Sequence, residues 1–170
     1  MQAQREDASI MTLAVGSEAP DFALPSAGGE VRLSDFRGKL VVLYFYPKAM
    51  TPTCTQQACE FRDAYGELTA HGAVVIGIST DEVERHIRFR EKYALPFLLL
   101  SDPEHQVCER YGVWQPKKLY GREFMGIVRS TFLIDEEGRL IREWRNVRLK
   151  GHIDAILQAI REHREKKGRI

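Results

Sequence analysis

Apolar runs that suit buried strands alternate along this chain with amphipathic stretches that suit helices. Residues 39–46 form a continuous run of apolar, β-forming side chains, which predicts a strand buried on both faces. Thr51 is then placed to begin a helix as its N-cap, with Pro52 at the first helical position. Apolar side chains recur at helical spacing beyond it, so we expect this helix to continue to about Ala70.

The remaining pattern predicts a hairpin, further strands and further helices around this first unit. Residues 21–24 and 30–33 flank a glycine-containing turn and predict an N-terminal β-hairpin. Later strands are predicted at residues 73–79, 97–100, 127–134 and 139–144, and later helices at residues 81–93 (capped by Thr80 or Asp81), 103–111 and 152–165. Residues 114–126 are predicted to be a loop. This order implies an α/β fold with a central mixed sheet and helices on both of its faces.

Length and charge narrow the class of protein further. The 170 residues suit one domain, and a composition of 44% hydrophobic and 29% charged residues is typical of a soluble globular protein. A net charge of +1 provides no electrostatic footprint for nucleic acid or for an anionic membrane, so we expect neither partner. We also expect residues 1–12 to be a disordered extension and residues 13–170 to form a single domain.

The expected cellular compartment limits what the cysteines of this chain can do. No apolar run reaches the roughly 18 residues of a membrane span, and the N-terminal segment does not resemble a secretion signal, so a cytoplasmic location is expected. The chain contains Cys54, Cys59 and Cys108, and an odd number of cysteines in that setting argues against a structural disulfide framework. In a reducing compartment such thiols are buried, bound to metal or chemically active.

Cys54 falls in the first turn of the helix predicted to begin after Thr51. Free backbone N–H groups and the positive end of the helix dipole favour an anion there, so a thiol is expected to favour the thiolate, which is the nucleophilic form. The alternative is that Cys54 is a small buried apolar residue, which is a common role for a free cysteine. The order strand, proline, loop, Thr-Pro-x-Cys favours the reactive interpretation.

Cys59 follows Cys54 by five residues on the same predicted helix. At that spacing the two Cα atoms are about 8.6 Å apart and the side chains project about 140° apart around the helix axis. A disulfide requires Cα atoms within about 7 Å, so it cannot form on the intact helix. Either the two thiols never bond, or the first turns unwind when they do.

These residues resemble the active-site signature of the peroxiredoxins, P-x-x-x-T-x-x-C, which residues 47–54 (PKAMTPTC) match. Cys59 matches the resolving cysteine of many members of the bacterioferritin comigratory protein (peroxiredoxin Q) subfamily. Further segments similar to that subfamily are residues 16–22, 42–47, 75–79 and 130–135. The resemblance extends over about residues 13–163 and implies a thioredoxin-like fold.

The resemblance also implies roles for individual residues in the reduction of hydrogen peroxide and organic hydroperoxides. Cys54 would be the peroxidatic thiolate, Thr51 would hydrogen-bond the peroxide, and Pro47 would shield the sulfur. Arg129, before the strand at residues 130–134, matches the active-site arginine of the family and would favour the thiolate. Oxidised Cys54 would form an intramolecular disulfide with Cys59, as in atypical 2-Cys members.

The implied cycle needs no metal, haem or flavin, and thioredoxin or a similar dithiol protein would reduce the disulfide. Because resolution stays within one chain, we expect a monomer or a weak homodimer. One residue departs from the family pattern, since Thr53 stands where many relatives have glycine. Threonine is acceptable there if the position is helical, and strained if it requires a positive φ.

Two other functions remain open at this point. A thioredoxin-type protein disulfide oxidoreductase would share the fold and the redox chemistry, but it normally uses C-x-x-C rather than C-x-x-x-x-C. A non-enzymatic zinc- or partner-binding module is the third interpretation, and His105 with Cys108 gives an H-x-x-C spacing. No further ligands cluster nearby in sequence, so we expect Cys108 to be buried and structural, with a second resolving role as the alternative.

Overall fold

A computed structural model describes residues 13–168 of the chain, and its central sheet is built around one fully buried strand. That strand is β3 (Leu40–Phe45), and all six of its residues are buried. β4 (Ala73–Ser79) and then β5 (Leu98–Ser101) continue the sheet on one side, each parallel to its neighbour. On the other side β8 (Ser130–Ile134) runs antiparallel to β3, and β9 (Leu140–Arg145) runs antiparallel to β8.

Two hairpins and five α-helices complete the described chain. The hairpins are β1 (Ala23–Ser26) with β2 (Gly29–Arg32), and β6 (Trp114–Leu119) with β7 (Arg122–Ile127); a 3-10 turn covers Leu33–Phe36. The helices are α1 (Pro52–Asp63), α2 (Tyr65–Ala70), α3 (Val83–Tyr93), α4 (Gln106–Arg110) and α5 (His152–Gly168). The mixed α/β architecture with an N-terminal hairpin is therefore confirmed.

Alternation along β3 divides the core into two layers, because successive strand side chains point to opposite faces. Val42 and Tyr44 face the layer that α1, α3 and α5 cover. Leu43 and Phe45 face the layer formed with the N-terminal hairpin and α4. The central strand is therefore covered on both faces, as its continuous apolar sequence predicted.

Most strand and helix boundaries differ from the prediction by one to three residues, and four differences concern how an element begins or ends. The helix predicted to reach Ala70 is interrupted at Ala64, whose ψ of 0° ends the first segment. The cap of α3 is Glu82 rather than Thr80 or Asp81. The helix predicted at residues 103–111 spans Gln106–Arg110, and the strand predicted from residue 127 begins at Ser130.

The largest error concerns residues 114–126, which form the β6–β7 hairpin rather than a loop. Tyr120 and Gly121 turn the chain with φ values of 52° and 77°. Two successive positive φ angles are the geometry of the tight turns that best match strand twist. Both strands are largely exposed and rich in polar residues, so no clear alternation of apolar positions marks them.

Two predictions concerned a disordered N-terminal extension and membrane-spanning segments. Residues 1–12, predicted to be a disordered extension, lie outside the described residues. Between residues 13 and 168, none of the helices is both long enough and apolar enough to cross a membrane.

Candidate active site

The register of the central sheet brings distant segments together at one edge. Phe45, at the end of β3, pairs with Ser130, which begins antiparallel β8. Arg129 directly precedes Ser130 and therefore lies beside the loop that leaves β3. Phe45 also pairs with Ile78 near the end of parallel β4, so the segment after β4 reaches the same loop.

The start of α1 places the predicted nucleophile in this region. Thr51 is the N-cap, with an extended backbone, and Pro52 is the first helical residue, as predicted. Cys54 is therefore in the first turn, where backbone N–H groups have no partner within the helix, and it is 2% exposed. Thr53 is helical, so a threonine is compatible with this position.

The Thr51 side chain does not cap the helix. Its hydroxyl instead donates a hydrogen bond to the carbonyl oxygen of Lys48 at 2.8 Å. This bond closes the loop that begins at the half-buried Pro47 and commits the hydroxyl proton. The lone pairs of the Thr51 oxygen remain able to accept a hydrogen bond from a small molecule.

Arg129 reaches the thiol directly. Its Nη2 donates to the Cys54 sulfur at 3.4 Å, and its Nη1 donates to the Gln57 side-chain oxygen at 2.6 Å. Gln57 lies one helical turn beyond Cys54 on the same buried face of α1 and is 1% exposed. The guanidinium is thus held between two residues of one helix, and its positive charge faces the sulfur.

Two further side chains near the thiol were missed by the sequence analysis. Lys117 donates from Nζ to the Ile127 carbonyl at 2.9 Å, and burial followed by the charge of Arg129 lowers the pKa of Lys117. Burial raises the pKa of Tyr44, and negative charge on Cys54 adds to that effect. Lys117 lies in the segment that was wrongly predicted to be a loop, and Tyr44 in sequence looks like an ordinary core aromatic. Neither residue could therefore be predicted to lie near the thiol.

Tyr44 packs beneath α1, with its ring centroid 4.6 Å from that of Phe61. The Tyr44 side chain is fully buried, and within residues 13–168 its hydroxyl finds no hydrogen-bond partner. The side-chain nitrogen of Gln57 is likewise buried without a partner in that part of the chain. The underside of the helix that carries the thiol therefore holds two unpaired polar groups.

Cys59 lies on α1 with Cys54 but outside its fully buried face, and it is half-buried. All three cysteines of the chain are free thiols in this structure. Because Pro52–Asp63 is continuous helix, the separation set by helix geometry applies, and Cys59 cannot bond to Cys54 in this conformation.

Cys108 lies on α4, in a different core layer from Cys54. It belongs to the core layer on the opposite face of the central sheet and is fully buried. Burial raises the pKa of its thiol, and the neighbouring Asp102 carboxylate adds to that effect. His105 pairs with Glu109 and stacks on Trp114, and no group of three or more potential metal ligands occurs in the described residues.

The chain is similar to known proteins over most of its length. Residues 15–143 match the AhpC/TSA family. Peroxiredoxin Bcp of Bacillus subtilis is 54% identical, with 92% of this chain and 100% of that protein aligned, and peroxiredoxin Bcp of Escherichia coli is 49% identical over 89% and 97%. The bacterioferritin comigratory protein of Xanthomonas campestris has a solved structure that is 36% identical, covers 88% of this chain and 99% of its own, and superimposes with a TM-score of 0.81.

A solved structure of a Xylella fastidiosa peroxiredoxin Q variant is also similar, at 32% identity and a TM-score of 0.83 over 89% of this chain and 98% of that one. The fold seen here is therefore the thioredoxin-like fold of these enzymes. This chain resembles these relatives over nearly its whole length. It also has a buried cysteine, Cys54, at a helix N-terminus and beside Arg129. The chain belongs to the AhpC/TSA family and is a peroxidase enzyme of the peroxiredoxin type, similar to the Bcp and peroxiredoxin Q proteins.

Proposed function

We propose that this protein reduces hydrogen peroxide and organic hydroperoxides through the Cys54 thiolate. Thioredoxin or a similar dithiol protein then returns the oxidised Cys54 to the reduced form. The observation that carries the proposal is the contact between Arg129 Nη2 and the Cys54 sulfur, 3.4 Å, at the start of α1. A guanidinium and a helix N-terminus together favour a thiolate. The thiolate is the form of cysteine that attacks peroxides.

The oxidation step follows from the donors and acceptors at this site. The Cys54 thiolate attacks the terminal peroxide oxygen, so that an S–O bond forms, the O–O bond breaks, and the alkoxide leaves and takes a proton from solvent. Thr51 accepts a hydrogen bond from the peroxide, because its own proton is committed to Lys48. Arg129 offsets the negative charge that develops on the leaving oxygen, and Pro47 limits access of water to the sulfur.

Resolution requires α1 to unwind at its first turns. Cys59, as a thiolate, attacks the sulfur of the Cys54 sulfenic acid, and the hydroxyl leaves as water after taking one proton. The local structure favours this opening, because Pro52 and Thr53 are exposed and no side-chain capping bond holds the helix start. A dithiol reductant then exchanges with the Cys54–Cys59 disulfide and leaves both thiols reduced.

One relative supports the substrate class. The Xanthomonas campestris protein is described as having alkyl peroxide reduction activity, and we extend that class of substrate to this chain. Because thioredoxin-type reductants act in reducing compartments, we also propose a cytoplasmic location. A disulfide contained within one chain needs no partner subunit, so we propose a monomer or a weak homodimer.

The proposal is tested by mixing the purified protein with peroxide, thioredoxin, thioredoxin reductase and NADPH, and following NADPH absorbance. We expect peroxide-dependent NADPH loss in the wild type and none above background in Cys54→Ser. In Cys59→Ser we expect Cys54 sulfenic acid to accumulate, as seen by mass spectrometry after trapping with dimedone. Undiminished turnover in Cys54→Ser contradicts the assignment of the nucleophile.

A further inference from the structure

The peptide groups of Ala49, in the loop between β3 and α1, are held by side chains from a distant segment. Ala49 is fully buried, and its N–H donates to Asp81 Oδ2 at 2.7 Å. Its carbonyl oxygen accepts from Arg85 Nη2 at 2.7 Å and from Arg85 Nε at 3.3 Å. Asp81 and Arg85 also pair with each other at 3.3 Å. We refer to these two side chains as the Asp81–Arg85 clamp.

A buried polar network fixes the acidic half of the clamp. Asp81 Oδ2 also accepts a hydrogen bond from the Ser79 hydroxyl at 2.7 Å. The hydroxyls of Ser79 and Tyr46 lie 2.8 and 2.9 Å from His86 Nε2. His86 is 1% exposed, and burial lowers its pKa to about 4, so it is neutral near pH 7. The Asp81 carboxylate therefore has little freedom to move.

The loop that the clamp holds has a constrained backbone of its own. Met50, next to Ala49, has a φ of 68°, in the left-handed region that residues other than glycine rarely adopt. Thr51 follows directly, with its hydroxyl bonded to Lys48. A conformation of this kind persists where the surroundings fix it, and here the N–H and the C=O of the preceding residue, Ala49, are both bonded to the clamp.

We propose that Asp81 and Arg85 are positioning residues for peroxide reduction. They hold residues 47–51 so that the Thr51 oxygen lies ready to receive peroxide at the start of α1. The hydrogen bonds of the clamp go to the loop backbone, so the pair acts on the reaction through the loop and not through the sulfur. This inference rests on the proposed peroxidase function, because it assigns a role in the same step.

The chain contains a matched control for this clamp. Arg164 donates through Nε and Nη2 to a single backbone carbonyl, that of His71, and pairs through Nη1 with Glu136 at 2.6 Å. The side chains of Arg164 and Glu136 are 37% and 14% exposed, against 33% and 8% for Arg85 and Asp81. The two pairs are closely similar in their hydrogen bonding and burial. Arg164, however, binds the His71 carbonyl at the end of α2 and not the loop at residues 47–51, and Glu136 binds Arg164.

The test compares Arg85→Gln and Asp81→Ala with Arg164→Gln and Glu136→Ala. Two rates are measured for each protein: oxidation of Cys54 by hydrogen peroxide and alkylation of Cys54 by iodoacetamide, both followed by peptide mass. We expect peroxide oxidation to slow by about 10- to 100-fold in the two clamp variants, because small misplacements of binding groups cost rates of that order. Alkylation, which needs the thiolate but not the peroxide site, should not slow.

The control variants should oxidise within about threefold of the wild-type rate, since substitutions away from the site have small effects. Arg85→Lys keeps the positive charge and one donor group, so its peroxide oxidation rate should be higher than that of Arg85→Gln. If Arg85→Gln does not fold, Arg85→Lys takes its place in the comparison. Peroxide oxidation at the control rate in the clamp variants overturns the inference, and so does an equal loss of both rates, which would mean that the clamp supports the thiolate. If wild-type Cys54 does not react with peroxide at all, the proposed function itself fails and the clamp assignment with it.

Discussion

Replacing Arg129 with methionine tests how much the guanidinium contributes to the reaction of Cys54. The substitution keeps much of the length of the side chain but removes the donor that lies 3.4 Å from the sulfur. At that separation and an effective dielectric constant of about 20, a full charge pair attracts by about 5 kcal/mol. Arg129 is only half-buried, so solvent screens part of this attraction. A hydrogen bond to a charged group contributes about 1.5–3 kcal/mol, which is the magnitude we adopt.

Because about 1.4 kcal/mol corresponds to a tenfold change in rate, Arg129→Met should slow oxidation of Cys54 by about 10- to 100-fold. The assay is rapid mixing with hydrogen peroxide, acid quench and measurement of unmodified Cys54 by peptide mass. Arg161→Met is the control, since Arg161 forms an exposed pair with Glu67 and such pairs contribute little. An oxidation rate in Arg129→Met equal to that of Arg161→Met would refute the proposal that Arg129 promotes the reaction of Cys54 with peroxide.

Three further predictions concern residues that take no part in the proposed reaction. Cys108→Ala should leave the rate of Cys54 oxidation and the disulfide formed unchanged, because Cys108 is buried in the opposite core layer; a mixed disulfide of Cys108 in wild-type peptide maps would contradict this. Tyr44→Phe should raise the free energy of unfolding in urea by about 1–3 kcal/mol, because it removes a buried hydroxyl that has no partner in the described chain; a loss of stability would show that the hydroxyl is bonded. Burial lowers the pKa of His86 and His152 from 6.5 to about 4. Between pH 4 and pH 6.5 the unfolded chain therefore binds more protons than the folded chain, so the urea concentration at the unfolding midpoint should fall from pH 7 to pH 5. A midpoint that stays constant would contradict the burial of neutral histidines.

The elements that the sequence predicted best are those with a strong local pattern. The apolar run of β3 predicts a buried strand from a few residues, and the Thr-Pro pair predicts the start of α1. Both predictions are confirmed. The β6–β7 hairpin was missed because its strands are exposed and carry lysine, arginine and a proline, Pro116. Periodicity in hydrophobic residues reports burial, and a strand without a buried face gives no such signal.

The candidate site depends on sheet register as well as on local pattern. Arg129 and Cys54 are 75 residues apart, and the pairing of Phe45 with Ser130 brings them together. Resemblance to a family pointed to Arg129, but residue chemistry alone did not distinguish it from other arginines. Asp81 was interpreted as a possible helix cap, a local role, whereas its carboxylate binds the loop that leaves β3.

In the proposed cycle Cys54 and Cys59 form a disulfide although the helix that carries them keeps them apart in the reduced protein. The most direct test is a disulfide map of the protein after one equivalent of hydrogen peroxide, combined with amide hydrogen exchange over residues 51–59. We predict a Cys54–Cys59 bond within one chain, together with faster exchange in those residues than in the reduced protein. A disulfide that joins two chains, or a Cys54–Cys108 bond with α1 still protected, would show that Cys59 does not resolve Cys54 by unwinding of this helix.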